Sequence, residues 1–176
     1  MEMKNKDILI AISREDGGVS IMSFTVIGRG NVLPSGAIWL KDGWWSRDSS
    51  KEIVDSEVAK ATAHPSEPKA ISWRFIELSE VPQDRTYRNA WKDDGQRIAH
   101  DMTKAREIHR DHIRKARKAA LAELDGRWMR ATGQGDNKRA DLTEAERQKW
   151  RDAPEDARIE AAQTTEELKA LLLEIK

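Results

Sequence analysis

The residues whose spacing first invites chemistry are two histidines. His109 and His112 stand three apart, with Asp111 between them. On a helix that spacing places both imidazoles on one face, where two ligands can meet one metal ion. A tetrahedral zinc site needs two more, and His64 and His100, the only other histidines, offer no second pair at ligand spacing. The chain has no cysteine, which removes thiolate ligands, disulfides and cysteine nucleophiles. It contains no Gly-x-Gly-x-x-Gly, no phosphate loop, no Gly-x-Ser-x-Gly and no His-Glu-x-x-His. Gly133-x-Gly135 follows a helical run rather than a strand, the wrong context for a dinucleotide turn. The expectation is no metal, no cofactor and no enzymatic activity, with the histidines filling a partly buried, alanine-rich stripe.

Charge is the second signal. Seven basic residues and only two acids lie between Lys104 and Lys118, whereas from Asp141 onward ten acids face six bases. Arg106, Arg110, Arg114 and Arg117 are the candidate partner-binding residues of that basic run. Either the acidic tail packs on the basic helix, or the basic face is held out to an acidic protein. Nucleic acid is disfavoured, because 31 basic and 31 acidic residues give zero net charge rather than a basic excess. A third signal is the crowding of Trp39, Trp44 and Trp45 within seven positions, with Asp42-Gly43 between them. Tryptophan closes small cores and also anchors interfaces, so these three form a second candidate binding surface.

The elements that must position these residues read as an α+β chain. Ile8–Ile12 and Val19–Ile27 flank Asp16-Gly17-Gly18, a strong hairpin signal. Gly28-Arg29-Gly30 and Pro34-Ser35-Gly36 mark a loop. Ser49 or Ser50 can cap a helix over Lys51–His64 with Ile53, Val54, Val58 and Ala61 on its apolar face. Ala70–Leu78 reads as a strand with Ile71, Trp73 and Phe75 on one side. Residues 1–82 thus form a small α+β unit of hairpin, Trp-rich turn, helix and strand. Residues 83–100 form a connector with a short hairpin at Asp94-Gly95, and residues 101–176 a helical region.

That region opens with one long helix over Asp101–Thr132, roughly 40 Å at 1.5 Å per residue. Its stripe of Ala105, His109, His112, Ile113, Ala116, Ala120, Leu124 and Ala131 carries large apolar groups only toward its C-terminal half, widened by Leu121 and Trp128. The C-terminal half should therefore anchor the fold, and the basic N-terminal half should bury little. After a loop at 133–138, a second helix opens near Asp141, where Thr143 and Glu146 have capping-box spacing, and ends before Pro154. Thr164 or Thr165 caps a last one with Leu168, Leu171, Leu172 and Ile175 as its apolar face. No apolar run approaches a membrane span, and the start MEMKNKDILIAIS has too short an apolar core for a secretory signal.

Several stretches of the second half form a recurring series. They are Asp84-Arg85-Thr86-Tyr87-Arg88-Asn89-Ala90-Trp91; Ala105-Arg106-x-Ile108-His109 with Ile113-Arg114-x-x-Arg117; Leu121-x-x-Leu124-Asp125; Trp150-Arg151-Asp152-Ala153-Pro154-x-Asp156; and Thr164-Thr165-Glu166-Glu167-Leu168-Lys169. The series, covering about residues 80–173, resembles small proteins encoded in the tail modules of tailed bacteriophages and prophages, described as tail-assembly chaperone-like or tail-fibre-assembly-like. The resemblance implies a non-enzymatic viral protein in the host bacterial cytoplasm that binds a tail or fibre protein. Two other roles are compatible with it: an accessory factor that inhibits a host enzyme or defence complex, and a minor structural component of the virion.

Overall fold

The computed structural model describes residues 6–27, 37–39, 51–66 and 68–175. Contacts divide the chain into two units, Met1–Arg85 with Trp91–Ala99, and Thr86–Ala90 with His100–Lys176. The connector at 83–100 is therefore shared: most of it completes one unit, and six of its residues, Thr86–Ala90 and His100, belong to the other.

In the first unit, β1 (Lys6–Arg14) and β2 (Val19–Ile27) form the expected antiparallel hairpin. Its turn works because Gly17 takes φ 72°, a region open to glycine, and Asp16 accepts a hydrogen bond from the Gly18 N–H at 2.9 Å. β3 (Ala37–Trp39) adds to β2 in parallel and β4 (Ala70–Ile76) to β1 in antiparallel fashion, giving the order β3-β2-β1-β4. Alternation along β1 sends Ile10 and Ile12 to one face, where Val54 and Val58 of α1 (Lys51–Ala61) cover them. Trp73 and Phe75 join that layer, edge to face at 5.1 Å. Ala11 points the other way and packs with Val19, Ile76, Trp91 and Ile98. Trp91 and Ile98 come from a two-stranded hairpin, β5 (Trp91–Asp93) and β6 (Ile98–His100), turned at Gly95 with φ 88°.

Two expectations here need correction. Ile71 does not share the face of Trp73 and Phe75. The register passes from Ser13↔Ser72 to Arg14↔Ala70, so Ile71 is the extra residue of a bulge; it is 70% exposed, and Ala70 takes the inward place. Helix α1 ends at Ala61 rather than His64, where the Thr62 hydroxyl donates back to the Val58 carbonyl. The loop at 28–36, the Asp42-Gly43 turn and the cap at Ser49 or Ser50 lie outside the described residues.

The second unit is helical: α2 (Met102–Gly133), α3 (Asn137–Asp152), α4 (Ala157–Ala161) and α5 (Thr165–Ile175). Asp101 caps α2, accepting from the Thr103 and Lys104 N–H groups. The α2–α3 loop is shorter than expected. Asp136 accepts from the Arg139 N–H and starts α3 four residues before Asp141, while Thr143 lies inside the helix, buried, with its hydroxyl on the Arg139 carbonyl. At α5 the reciprocal cap forms, Thr164 accepting from the Glu167 N–H and the Glu167 carboxylate from the Thr164 N–H. Helix α4 was not anticipated; its five residues carry Ile159, which is fully buried.

The larger correction concerns α2. Its N-terminal half is not poor in burial: Ala105, His109 and Ile113 are all at 0% exposure. Ala105 is small and His109 flat, and around them and Ile113 the neighbouring segments supply further bulk from Tyr87, Ala90, Ile159, Ala162, Leu168 and Leu171.

Candidate functional site

The inner side of α2 holds the histidines. The Tyr87 hydroxyl and His109 Nδ1 are hydrogen-bonded at 3.0 Å, both residues are buried, and the Tyr87 ring also lies 5.9 Å from that of His112. The other ring nitrogen of His109, Nε2, is buried without a hydrogen-bond partner. Burial, then the neighbouring His112 and Arg110, pushes the His109 pKa down, because a second proton puts charge into a dry core beside other cations. Burial, with the negative charge of Glu166 adding to it, raises the Tyr87 phenol to about 12. Both groups are therefore neutral near pH 7. Among the described residues no three His, Asp or Glu side chains gather as a metal-binding set. His109 and His112 are brought together, but the third member of their cluster is a phenol.

The four candidate arginines divide by what they touch. Arg106 donates to the Ala162 carbonyl, the C-cap of α4, at 2.9 Å. Arg117 donates to the Arg151 carbonyl near the end of α3 at 3.3 Å, where the helix leaves carbonyls unpaired. Arg110 is 15% exposed and bridges Glu107 on its own helix and Glu160 on α4. Hydrogen bonding to Glu160 raises the Arg110 pKa, and the same bond holds the Glu160 carboxyl below its ordinary value. Arg114 is different: its only described ion pair is to Asp111 one turn back, and it remains 47% exposed.

The acidic-tail reading thus has a concrete form in the Arg110–Glu160 pair, but two arginines seek helix-end carbonyls rather than acids. The cations left facing solvent on the middle of α2 are Arg114, Lys115 and Lys118. The two lysines belong to the basic run but lie outside the four candidate arginines. Their signal was present: Arg114 and Lys118 are one turn apart, on a side bearing neither alanine nor histidine of the inner stripe.

Of the three tryptophans, Trp39 lies in β3, paired with Ile27, and Trp44 and Trp45 fall outside the described residues. The first unit also has a groove of about 500 Å³ between α1 and β4, lined in part by Asp55, Val58, Ala70 and Trp73. Trp73 closes one side by donating its indole N–H to Asp55 at 2.6 Å. The bulge at Ile71 interrupts β4 there, a feature that discourages a further strand from pairing along that edge.

Most of the residues in the series that runs from Asp84 to Lys169 are structural. Tyr87, Ala90, Ala105, His109, Ile113, Ala153, Pro154 and Leu168 are buried, Arg106 and Arg117 tie helix ends, and Asp156 and Thr164 cap helices. These residues build the helical unit, whereas Arg114 of the same series is exposed and Trp91 belongs to the core of the first unit. Comparison of the chain with protein-family models, curated proteins and solved structures finds no match.

Proposed function

We propose that this chain is a non-enzymatic bacteriophage protein that binds another protein, as a chaperone or accessory of tail or tail-fibre assembly. The observation that carries the binding part is the exposed cationic turn of Arg114, Lys115 and Lys118, on a stretch of helix whose Arg106, Arg110 and Arg117 are bound within the fold. Such a turn fits an acidic protein surface, since exposed charges steer encounter and select partners by sign. The tail-module part rests on the resemblance of residues 80–173. No helix among the described residues is long and apolar enough to cross a membrane.

The test is capture of phage tail proteins from infected cells with the tagged chain and with an R114E/K115E/K118E variant. Wild type is expected to retain a tail or fibre protein, and the variant to lose it with unchanged circular dichroism. Equal capture by both overturns the assigned face. Retention of a host enzyme in place of a phage protein replaces the assembly role with inhibition. Charge reversal at Arg110 or Arg117 is unsuited to this purpose, because it removes contacts that hold α4 and α3.

A further inference from the structure

We propose that the Tyr87–His109 pair makes the helical unit a pH-sensitive latch: α2 packs against the 86–90 segment and α4–α5 with His109 neutral, and protonation of that ring releases them. In either neutral tautomer Nδ1 shares a hydrogen bond with the Tyr87 hydroxyl. The imidazolium carries N–H donors on both nitrogens, and Nε2, buried, has no acceptor. Leaving a charged donor unsatisfied in a dry core is among the most costly arrangements a fold can hold.

The charged and titratable groups around His109 do not relieve it. From α2 itself come Arg106, Arg110 and His112, all cationic or able to become so. From the 86–90 segment come Tyr87 and the exposed Arg88. From α4 comes Glu160, whose carboxylate is bound by Arg110. From α5 comes Glu166, whose charge acts on Tyr87 and His100 rather than on His109. Protonation thus brings a cation beside cations. The sign follows from proton linkage: with the folded-state pKa of His109 depressed, the unfolded chain takes up a proton that the folded one refuses. The penalty is absent above the ordinary imidazole value of about 6.5 and grows as pH falls below it. The ratio of folded to unfolded helical unit drops by up to about tenfold per pH unit, until His109 protonates in place.

The experiment is a pH titration of the full chain by NMR, following the His109 ring nitrogens and the amide signals of α2 and α5 between pH 8 and 4. The expected result is a His109 ring that titrates below its ordinary 6.5 in the folded species, with hydrogen-exchange protection of α2 and α5 falling steadily below that pH. A His109→Gln variant, which has no titrating ring there, is expected to flatten this fall. Tyr87→Phe keeps the buried ring and should keep it. A His109 ring that titrates at or above 6.5 in the folded protein overturns the proposal, and that reading needs no variant to fold. An equally steep fall in a folded His109→Gln chain overturns it as well, assigning the effect to other groups.

Discussion

The two units hold their buried polar groups by opposite means. In the β-rich unit Arg74 is bound by two carboxylates, with its Nε 2.9 Å from Asp93 and its Nη1 2.7 Å from Glu80. Hydrogen bonding to Asp93 first, and then to Glu80, raises the Arg74 pKa far out of reach. That interior accepts charge and compensates it. In the helical unit the buried pair is Tyr87–His109, and both members remain neutral. Its Arg106 and Arg117 reach helix-end carbonyls, and Arg110 and Arg147 pair with carboxylates that stay exposed to solvent. A compensated ion cluster tolerates mild acid and weakens when carboxylates protonate; a charge-excluding pair is sensitive to the first proton that arrives.

The contrast can be broken or sharpened by substitution. The largest expected effect is Ile113→Ala. Ile113 is fully buried at the centre of the helical core, so the loss should be about 2–4 kcal/mol, measured as urea-unfolding midpoint with α2 amide exchange. A loss under about 1 kcal/mol would mean that the small-residue core re-collapses, contrary to the close packing described for it. Next comes Arg74→Met, which leaves the Asp93 side chain, only 5% exposed, without its guanidinium. A cost of about 2–3 kcal/mol is expected, and adding Asp93→Asn should recover part of it. If the double variant is no better than the single one, charge compensation is not what Arg74 provides.

The pH axis separates the units without mutation. The Glu77 N–H, and then Arg74, hold the Glu80 carboxyl below its ordinary 4.5. A depressed carboxyl contributes stability that is present above that value and lost as pH falls through the lower one. Protection of the β1 amides should therefore persist to about pH 4.5 while that of α2 declines from about 6.5. Parallel loss of both sets of amides would erase the distinction between the units.

Smaller effects test the ends and outer faces of helices. Asp101→Ala removes the side-chain acceptor of two N–H groups and should cost about 1 kcal/mol, with fraying confined to the first turn of α2 in amide exchange. Arg147 pairs with Asp125 of α2 and Glu144 of its own helix, and lies over the Trp128 ring. Arg147→Met should cost at most about 1 kcal/mol at low salt and almost nothing in 1 M salt, because these partners are solvent-accessible. A cost that survives high salt would assign the role to stacking on Trp128.

Much of this was legible before folding. The hairpin at Asp16-Gly17-Gly18, the return strand at Ile98 and the α5 cap at Thr164 depend on turn and capping chemistry confined to a few neighbouring residues. The inner stripe of α2 was legible too, since a helical period needs no partner to be read. What escaped depended on segments distant in the chain. The bulge that turns Ile71 outward is set by β1, and the burial of Ala105 and His109 is completed by Tyr87, Ile159 and Leu168. Of the candidate site, the basic run was visible, but not which of its arginines the fold would engage. Carbonyl acceptors such as those of Ala162 and Arg151 belong to every residue type and leave no mark in a sequence.

The sequence by itself determined a long α2 with a basic N-terminal half and an alanine–histidine inner stripe, because helix propensity, capping and a 3.6-residue period are local properties. Only the tertiary structure decided that this half lies in the core, that His109 is shut in against Tyr87, and that Arg114, Lys115 and Lys118 are the cations left to solvent. Burial and hydrogen-bond partnership depend on which distant surfaces meet, and the periodicity of one helix does not name the segments that cover it.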